Sequence, residues 1–205
     1  MEEYSTVKNT ARVETVIERS RFISTIARVE TADEAKAFVD GVKKEFPDAT
    51  HNCYAYITER GGYSRYSDDG EPSGTAGAPI LEVIKGASLY DTAIVVTRYF
   101  GGVKLGTGGL VRAYSGGASD AVKAGGSVLF SMALYCEANI SYGDYGAFNK
   151  LISADMKVLS TDFGDGVKIA FAVKKSAYNA LNADFIEMYN GKYRLEIIKE
   201  DFFGF

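Results

Sequence analysis

The chain has 205 residues, of which 46% are apolar and 24% charged, a balance that excludes disorder and suffices for one large core or two small ones. Its 23 basic and 27 acidic side chains leave a net charge of −4, so general attraction to nucleic acid or anionic lipid is excluded and any such binding needs a local basic surface. No run of eighteen apolar residues predicts a membrane-spanning helix, and the acidic, polar start MEEYSTVKNTARVET lacks the basic and apolar regions of a secretory signal.

The first expected strands lie around Arg12–Ile17 and Phe22–Val29. Thr31 and Glu34 read as a capping box, opening a helix whose buried face is Ala35, Phe38, Val39, Val42 and Phe46. Asn52 to Thr58 reads as a strand, Pro79 to Leu89 as a helix, and Ala93 to Val96 as an apolar strand bounded by Arg98. Leu110, Ala113, Tyr114, Gly117, Ala118 and Ala121 recur at helical spacing, with Gly117 permitting close packing.

Fifteen of the 22 glycines fall between Gly61 and Gly126, and beyond that point breakers become sparse, so a domain boundary is expected there. Residues 127–205 then read as strand, helix, strand, strand, helix, strand. Val128–Ile140 is the first strand, and Asp144 is expected to cap a helix carrying Tyr145, Phe148, Leu151 and Ile152. Met156–Phe163 and Val167–Val173 flank an Asp165-Gly166 turn, Ser176 is expected to cap the second helix, and Tyr193, Leu195 and Ile197 alternate in the last strand. That order is the ferredoxin-like split βαβ pattern, and the whole chain is α+β.

Two segments stand out chemically: SDDGEPSGTAGAPIL at 67–81 and RYFGGVKLGTGGLVRAYS at 98–115. Gly101, Gly102, Gly106, Gly108 and Gly109 crowd nine positions between a strand and a helix, where exposed amides leading into a helix start attract anions. Arg98, Lys104 and Arg112 surround that stretch and Arg65 approaches from the other connection, so the expected ligand is phosphate, from a nucleotide or a nucleic-acid backbone. Neither standard nucleotide motif fits: a P-loop from Gly101 needs lysine where Thr107 stands, and the dinucleotide pattern from Gly106 needs glycine at Val111.

Both segments, with Ser20-Arg21-Phe22 and Ala49-Thr50-His51-Asn52-Cys53-Tyr54-Ala55, resemble the hallmark stretches of the YigZ/IMPACT family. The resemblance covers most of residues 15–125. It implies an N-terminal domain, residues 1–126, folded like the second domain of a small-subunit ribosomal protein. It also implies that residues 127–205 resemble the ferredoxin-like C-terminal domain of elongation factor G. Eukaryotic relatives regulate translation initiation through protein contacts, whereas the bacterial relatives have no settled activity.

The remaining residues admit competing readings. His51 and Cys53 share one strand face, which suits a buried thiol better than a Cys–His nucleophile, while His51 frames the glycine-rich site. Asp68, Asp69 and Glu71 hold Mg²⁺ against a phosphate, form a solvated turn, or pair with Arg65, Arg98 or Arg112, and the arginine fork favours pairing. Tyr54, Tyr56, Tyr63, Tyr66, Tyr99 and Tyr114 cluster near the same segments and either stack on RNA bases or pack internally. With Cys53, Cys136 and one histidine, neither disulfides nor structural zinc are expected, no cofactor is called for, and the thiols suit a reducing cytoplasm. The expectation is a cytoplasmic protein that binds RNA, the ribosome or the translation machinery and has no catalytic residues. The alternatives are a Mg²⁺-dependent phosphate-ester or nucleotide-handling enzyme and a pure protein-interaction module.

Overall fold

The computed structural model describes residues 2–205, and the chain is α+β with two sheets and five α-helices among them. It divides into two compact units, Tyr4–Val128 and Leu129–Phe205, the latter joined by Glu2 and Glu3. No helix among the described residues is long and apolar enough to cross a membrane.

The first unit is built on a five-stranded sheet in the order β2-β3-β6-β4-β5, with β2 at Ala11–Ile17, β3 at Ser20–Arg28, β4 at His51–Thr58, β5 at Tyr63–Ser67 and β6 at Thr92–Tyr99. β1 (Glu3–Val7) precedes it and is not one of its strands. The central strand β6 is apolar on both faces, and Ala93, Ile94, Val95 and Val96 are all fully buried. Alternation along β4 sends Cys53, Ala55 and Ile57 into one core and Tyr54 and Tyr56 into another on the opposite face.

Helix α1 (Ala32–Glu45) covers the Tyr54/Tyr56 face with Ala35, Val39 and Val42. Its cap differs in one bond from the expected box. The Glu34 amide donates to the Thr31 hydroxyl, but the Glu34 carboxylate accepts from the Glu30 amide rather than that of Thr31. Helices α2 (Gly77–Gly86) and α3 (Gly106–Gly125) cover the other face through Ile80, Ile84, Leu110, Ala113, Tyr114 and Ala118. Pro79 sits in the first turn of α2, where a missing amide hydrogen removes no helical bond.

Helix α3 lies close to the sheet because two of its residues lack side chains at the contact. A Cβ on Gly117 would stand 2.5 Å from the Ser24 hydroxyl, and one on Gly125 3.2 Å from an Ile26 methyl of β3. Phe22 and Tyr114 fill the space opened further along, edge to face at 5.4 Å, each contributing roughly 1.5–3 kcal/mol by burial.

The second unit contains β7 (Ser127–Ile140), α4 (Tyr142–Phe148), β8 (Met156–Phe163), β9 (Val167–Lys174), α5 (Tyr178–Met188) and β10 (Leu195–Gly204). Within it β9 lies between β7 and β8, with β10 antiparallel to β7 on the other side. Phe148, Ile169, Phe171 and Phe185 form the centre of its core. Both expected caps here are displaced. Ser141 is the residue before α4, and its hydroxyl donates to the Asp144 carboxylate inside the helix. Ser176 lies two residues ahead of α5, which follows Ala177. Tyr193 precedes the last strand, and its hydroxyl donates to Asp144, as does Lys192. These donors hold the Asp144 carboxyl down at about 2.

Gly101 leaves β6 where a Cβ would collide with the carbonyl of Arg19 in the β2–β3 turn. Gly101→Ala is expected to cost about 2–4 kcal/mol, read as a lowered urea midpoint with an unchanged slope. Gly116→Ala, on the open side of α3, is the control and should be neutral or mildly stabilising.

Candidate functional site

The two glycine-rich segments meet at one end of the first sheet, on the side of α2 and α3. His51 and Arg98 are direct cross-strand partners between β4 and β6, and Phe22 of β3 stands on the other side of Arg98. All three point toward α3 and are roofed by residues 68–76.

That roof is organised by its own carboxylates. One oxygen of Asp68 accepts from the amides of Ala76 and Gly77 and the other from Gly74, so a single side chain closes the loop onto the start of α2. Burial pushes the Asp68 carboxyl up, but the three amide donors outweigh it and the net shift is downward. Asp69 accepts from Lys43 at 2.6 Å and from the Asn52 amide at 2.7 Å, and its carboxyl is also lowered despite its burial. Gly77 is required here, since a Cβ would meet the Ser67 backbone at 2.7 Å. Gly70 carries φ +91° and lets the loop pass over the His51 ring.

With the loop so held, Glu71 enters the interior. Its carboxylate accepts from the Arg98 guanidinium at 2.6 Å and from the Tyr114 hydroxyl at 2.7 Å. The Arg98 and Glu71 side chains are 5% and 4% exposed. Arg98 also donates to the Ser20 hydroxyl, and its guanidinium lies 5.4 Å from the ring centroids of Phe22 and Phe100. His51 directs Nε2 toward Glu71 at 3.9 Å, with Nδ1 2.9 Å from the Asp69 carbonyl. Burial drives the Tyr114 hydroxyl far above its ordinary range. The Cys53 thiol, fully buried and donating to the Asp68 carbonyl, is pushed up to about 12, chiefly by desolvation.

This geometry redistributes the residues singled out in the sequence. Arg98 does not stand with Lys104 and Arg112 around an open loop; it is internal, and its charge is committed to Glu71. Asp68, Asp69 and Glu71 each serve a different set of protein donors, and no group of three or more His, Cys, Asp or Glu that could hold a metal stands together among the described residues. Gly106, Gly108 and Gly109 are not loop residues but the first turn of α3. Gly101 is packed against the β2–β3 turn, leaving Gly102 exposed with φ +84°.

Lys104, Gly106, Gly108 and Arg112 remain on the surface, with the Arg112 guanidinium folded back over Gly108. Lys104 and Arg112 line a cleft of about 510 Å³ with Ile17, Glu18, Val103 and Leu105. Arg65 and Tyr54 lie elsewhere, on the α1 face of the sheet. Strand β5 carries Arg65 and is not among the expected elements, because its exposed Tyr-Ser-Arg-Tyr-Ser run has no period-two alternation to mark it.

Arg98→Ala should strand the Glu71 carboxylate in the interior and lower stability by about 3–5 kcal/mol in denaturant unfolding, whereas Lys104→Ala should stay within about 0.5 kcal/mol. Neither thiol should react with a disulfide reagent at pH 8 in the folded protein, since Cys136 is likewise buried and raised to about 11; both should react once the chain is unfolded.

Comparison with known proteins places these segments in a family. The model described as the Impact N-terminal domain matches residues 18–122, and that of a domain of unknown function, DUF1949, matches residues 139–192. The chain is 41% identical over 191 residues to the IMPACT family member YvyE of Bacillus subtilis, covering 92% of this chain and 88% of that protein. It is 35% identical over 192 residues to the IMPACT family member YigZ of Escherichia coli, covering 90% and 92%. Protein IMPACT of Xenopus laevis is 34% identical over 94 residues, which are 43% of this chain and 30% of that one. A solved structure described as "Crystal structure of an hypothetical protein" matches with a TM-score of 0.64 and 32% identity, covering 98% of this chain and all of that one. The loop that buries Glu71, the strand that supplies Arg98 and the helix that supplies Tyr114 all fall within the first matched region, and the chain belongs to the IMPACT family.

Proposed function

We propose that this protein is an RNA- or ribosome-associated factor acting in the regulation of translation, with its binding surface on the first unit. The observation that carries the reading is the pairing state of the cations. Arg98 is internal and neutralised, but Lys104 and Arg112 are exposed, make no ion pair among the described residues, and flank the exposed first turn of α3. Four backbone amides without helical partners and the positive end of the helix dipole add to their field. Glu18 is the one carboxylate lining the same cleft. A net-acidic chain that keeps such cations unpaired at one place has the local basic surface that phosphate binding needs.

On this reading the first unit resembles the second domain of a small-subunit ribosomal protein. The second unit is ferredoxin-like, as in the C-terminal domain of elongation factor G; its β-α-β-β-α-β order with β9 between β7 and β8 supports that assignment. The eukaryotic members, as the family resemblance implies, point to the translation apparatus as partner.

The reading is tested by RNA binding across a salt series. The parent protein should bind with an affinity that falls steeply with salt, and Lys104→Ala/Arg112→Ala should weaken binding to all sequences and flatten the slope by roughly two. A parent that binds no RNA at low salt, or saturable Mg²⁺-dependent nucleotide binding in its place, would overturn it.

A further inference from the structure

The second group of cations lies on the opposite face of the same sheet, and its surroundings are aromatic. Tyr54 and Tyr56 project from β4 toward α1 with their rings nearly parallel, 6° between planes and 6.0 Å between centroids. Tyr63 of β5 continues the row, 6.1 Å from Tyr56, and is 40% exposed. Arg65 is the direct cross-strand partner of Tyr56 and shares its face. Between this row and α1 is a cavity of about 130 Å³, closed on the helix side by Lys36, Asp40 and Lys43.

The electrostatics of the cavity are one-sided. Lys43 is 5.7 Å from the Tyr54 ring and is tied to Asp69. Among the described residues, Lys36 and Arg65 are exposed and make no ion pair, and Asp40 is the only carboxylate lining the cavity. Packing explains why Tyr56 is inside, since it fills the α1 core with Val39 and Val95. It does not explain why an exposed guanidinium is held beside three tyrosines, hydrogen-bonded to the Tyr63 hydroxyl rather than paired with Asp40. Aligned rings with exposed cations at their edge are the combination that binds a flat, anionic unit: the ring takes the base and the cation the phosphate.

We propose that the cavity between α1 and the β4–β5 hairpin is a nucleotide subsite for single-stranded RNA. One base packs against Tyr54, the adjoining phosphate is held by Lys36 and Arg65, and the strand continues over Tyr63. This rests on the RNA reading above but places the sequence-tolerant, single-strand-selective contact on a face that Lys104 and Arg112 do not share. The cavity is too narrow for a duplex to present its bases, so the selectivity for unpaired nucleotides is built in.

The test compares a labelled octa-uridylate with a fully paired hairpin RNA by fluorescence polarisation. The proteins are the parent, Tyr54→Ala, Tyr54→Phe, Lys36→Ala/Arg65→Ala and Lys104→Ala/Arg112→Ala. Tyr54→Ala should lose about five- to hundredfold in affinity for the single strand, Tyr54→Phe should stay within about twofold, and the hairpin should be little affected by either. Lys36→Ala/Arg65→Ala should weaken single-strand binding and flatten its salt slope by roughly one to two. Because those two side chains are exposed, that variant decides the matter if Tyr54→Ala does not fold. If the parent binds and only Lys104→Ala/Arg112→Ala is impaired, the RNA reading stands and the subsite is wrong. Equal losses for single strand and hairpin also overturn the subsite, and a parent that binds neither RNA overturns both proposals.

Discussion

A single carboxylate, that of Glu71, connects the three parts of the first unit that matter for its surface. Its two donors come from β6 and α3, and the residue itself comes from the loop that leads into α2. Burying an ion pair this completely is a poor source of net stability, because desolvating both charges offsets most of their attraction. What it supplies is position. The placement of the 68–76 loop that satisfies Glu71 also lets Asp68 collect its three amides and Asp69 reach Lys43 and Asn52. Every carboxylate in the segment thus has donors from a different element, and the loop cannot shift without stranding at least one of them.

The glycines serve that same arrangement. Gly77 and Gly101 are places where one backbone passes against another, and Gly117 and Gly125 let α3 settle onto the sheet far enough for Tyr114 to reach Glu71. A density of glycine that suggests a ligand cradle is here in large part a packing device. Only Gly102 and the first turn of α3 remain open to solvent as such a cradle requires.

Neutralising Arg98 internally changes where the molecule can present positive charge. The cations left unpaired on the first unit include Lys104 and Arg112 at the start of α3, and Lys36 and Arg65 on the other face beside α1. The sheet between them is apolar on both sides, so the two groups sit in separate surroundings: one beside helix amides and aliphatic side chains, the other beside tyrosine rings. The first suits backbone phosphate of any nucleic acid; the second adds flat surfaces for a base.

The sequence by itself determined most of the elements, because hydrophobic period is a local property: β8 at Met156–Phe163, the alternation of β4, and the faces of α1 and α3 follow from spacing alone. It also carried the family, through long unusual motifs, but of the three carboxylates at 68–71 only Glu71 meets an arginine as expected, while Asp68 takes backbone amides and Asp69 takes Lys43 and the Asn52 amide. Caps were less legible. Glu34 reaches Glu30, and Asp144 binds Ser141, Lys192 and Tyr193, since a polar side chain within one turn of a helix start has several donors in range and the local sequence does not rank them. Edge strand β5 was invisible because an exposed strand needs no apolar alternation. The division of the arginines was decided only by the tertiary structure. Local pattern sets Arg98 at the end of an apolar strand and Arg112 off the buried face of a helix, but only the fold brings Glu71, distant in the chain, against one and not the other.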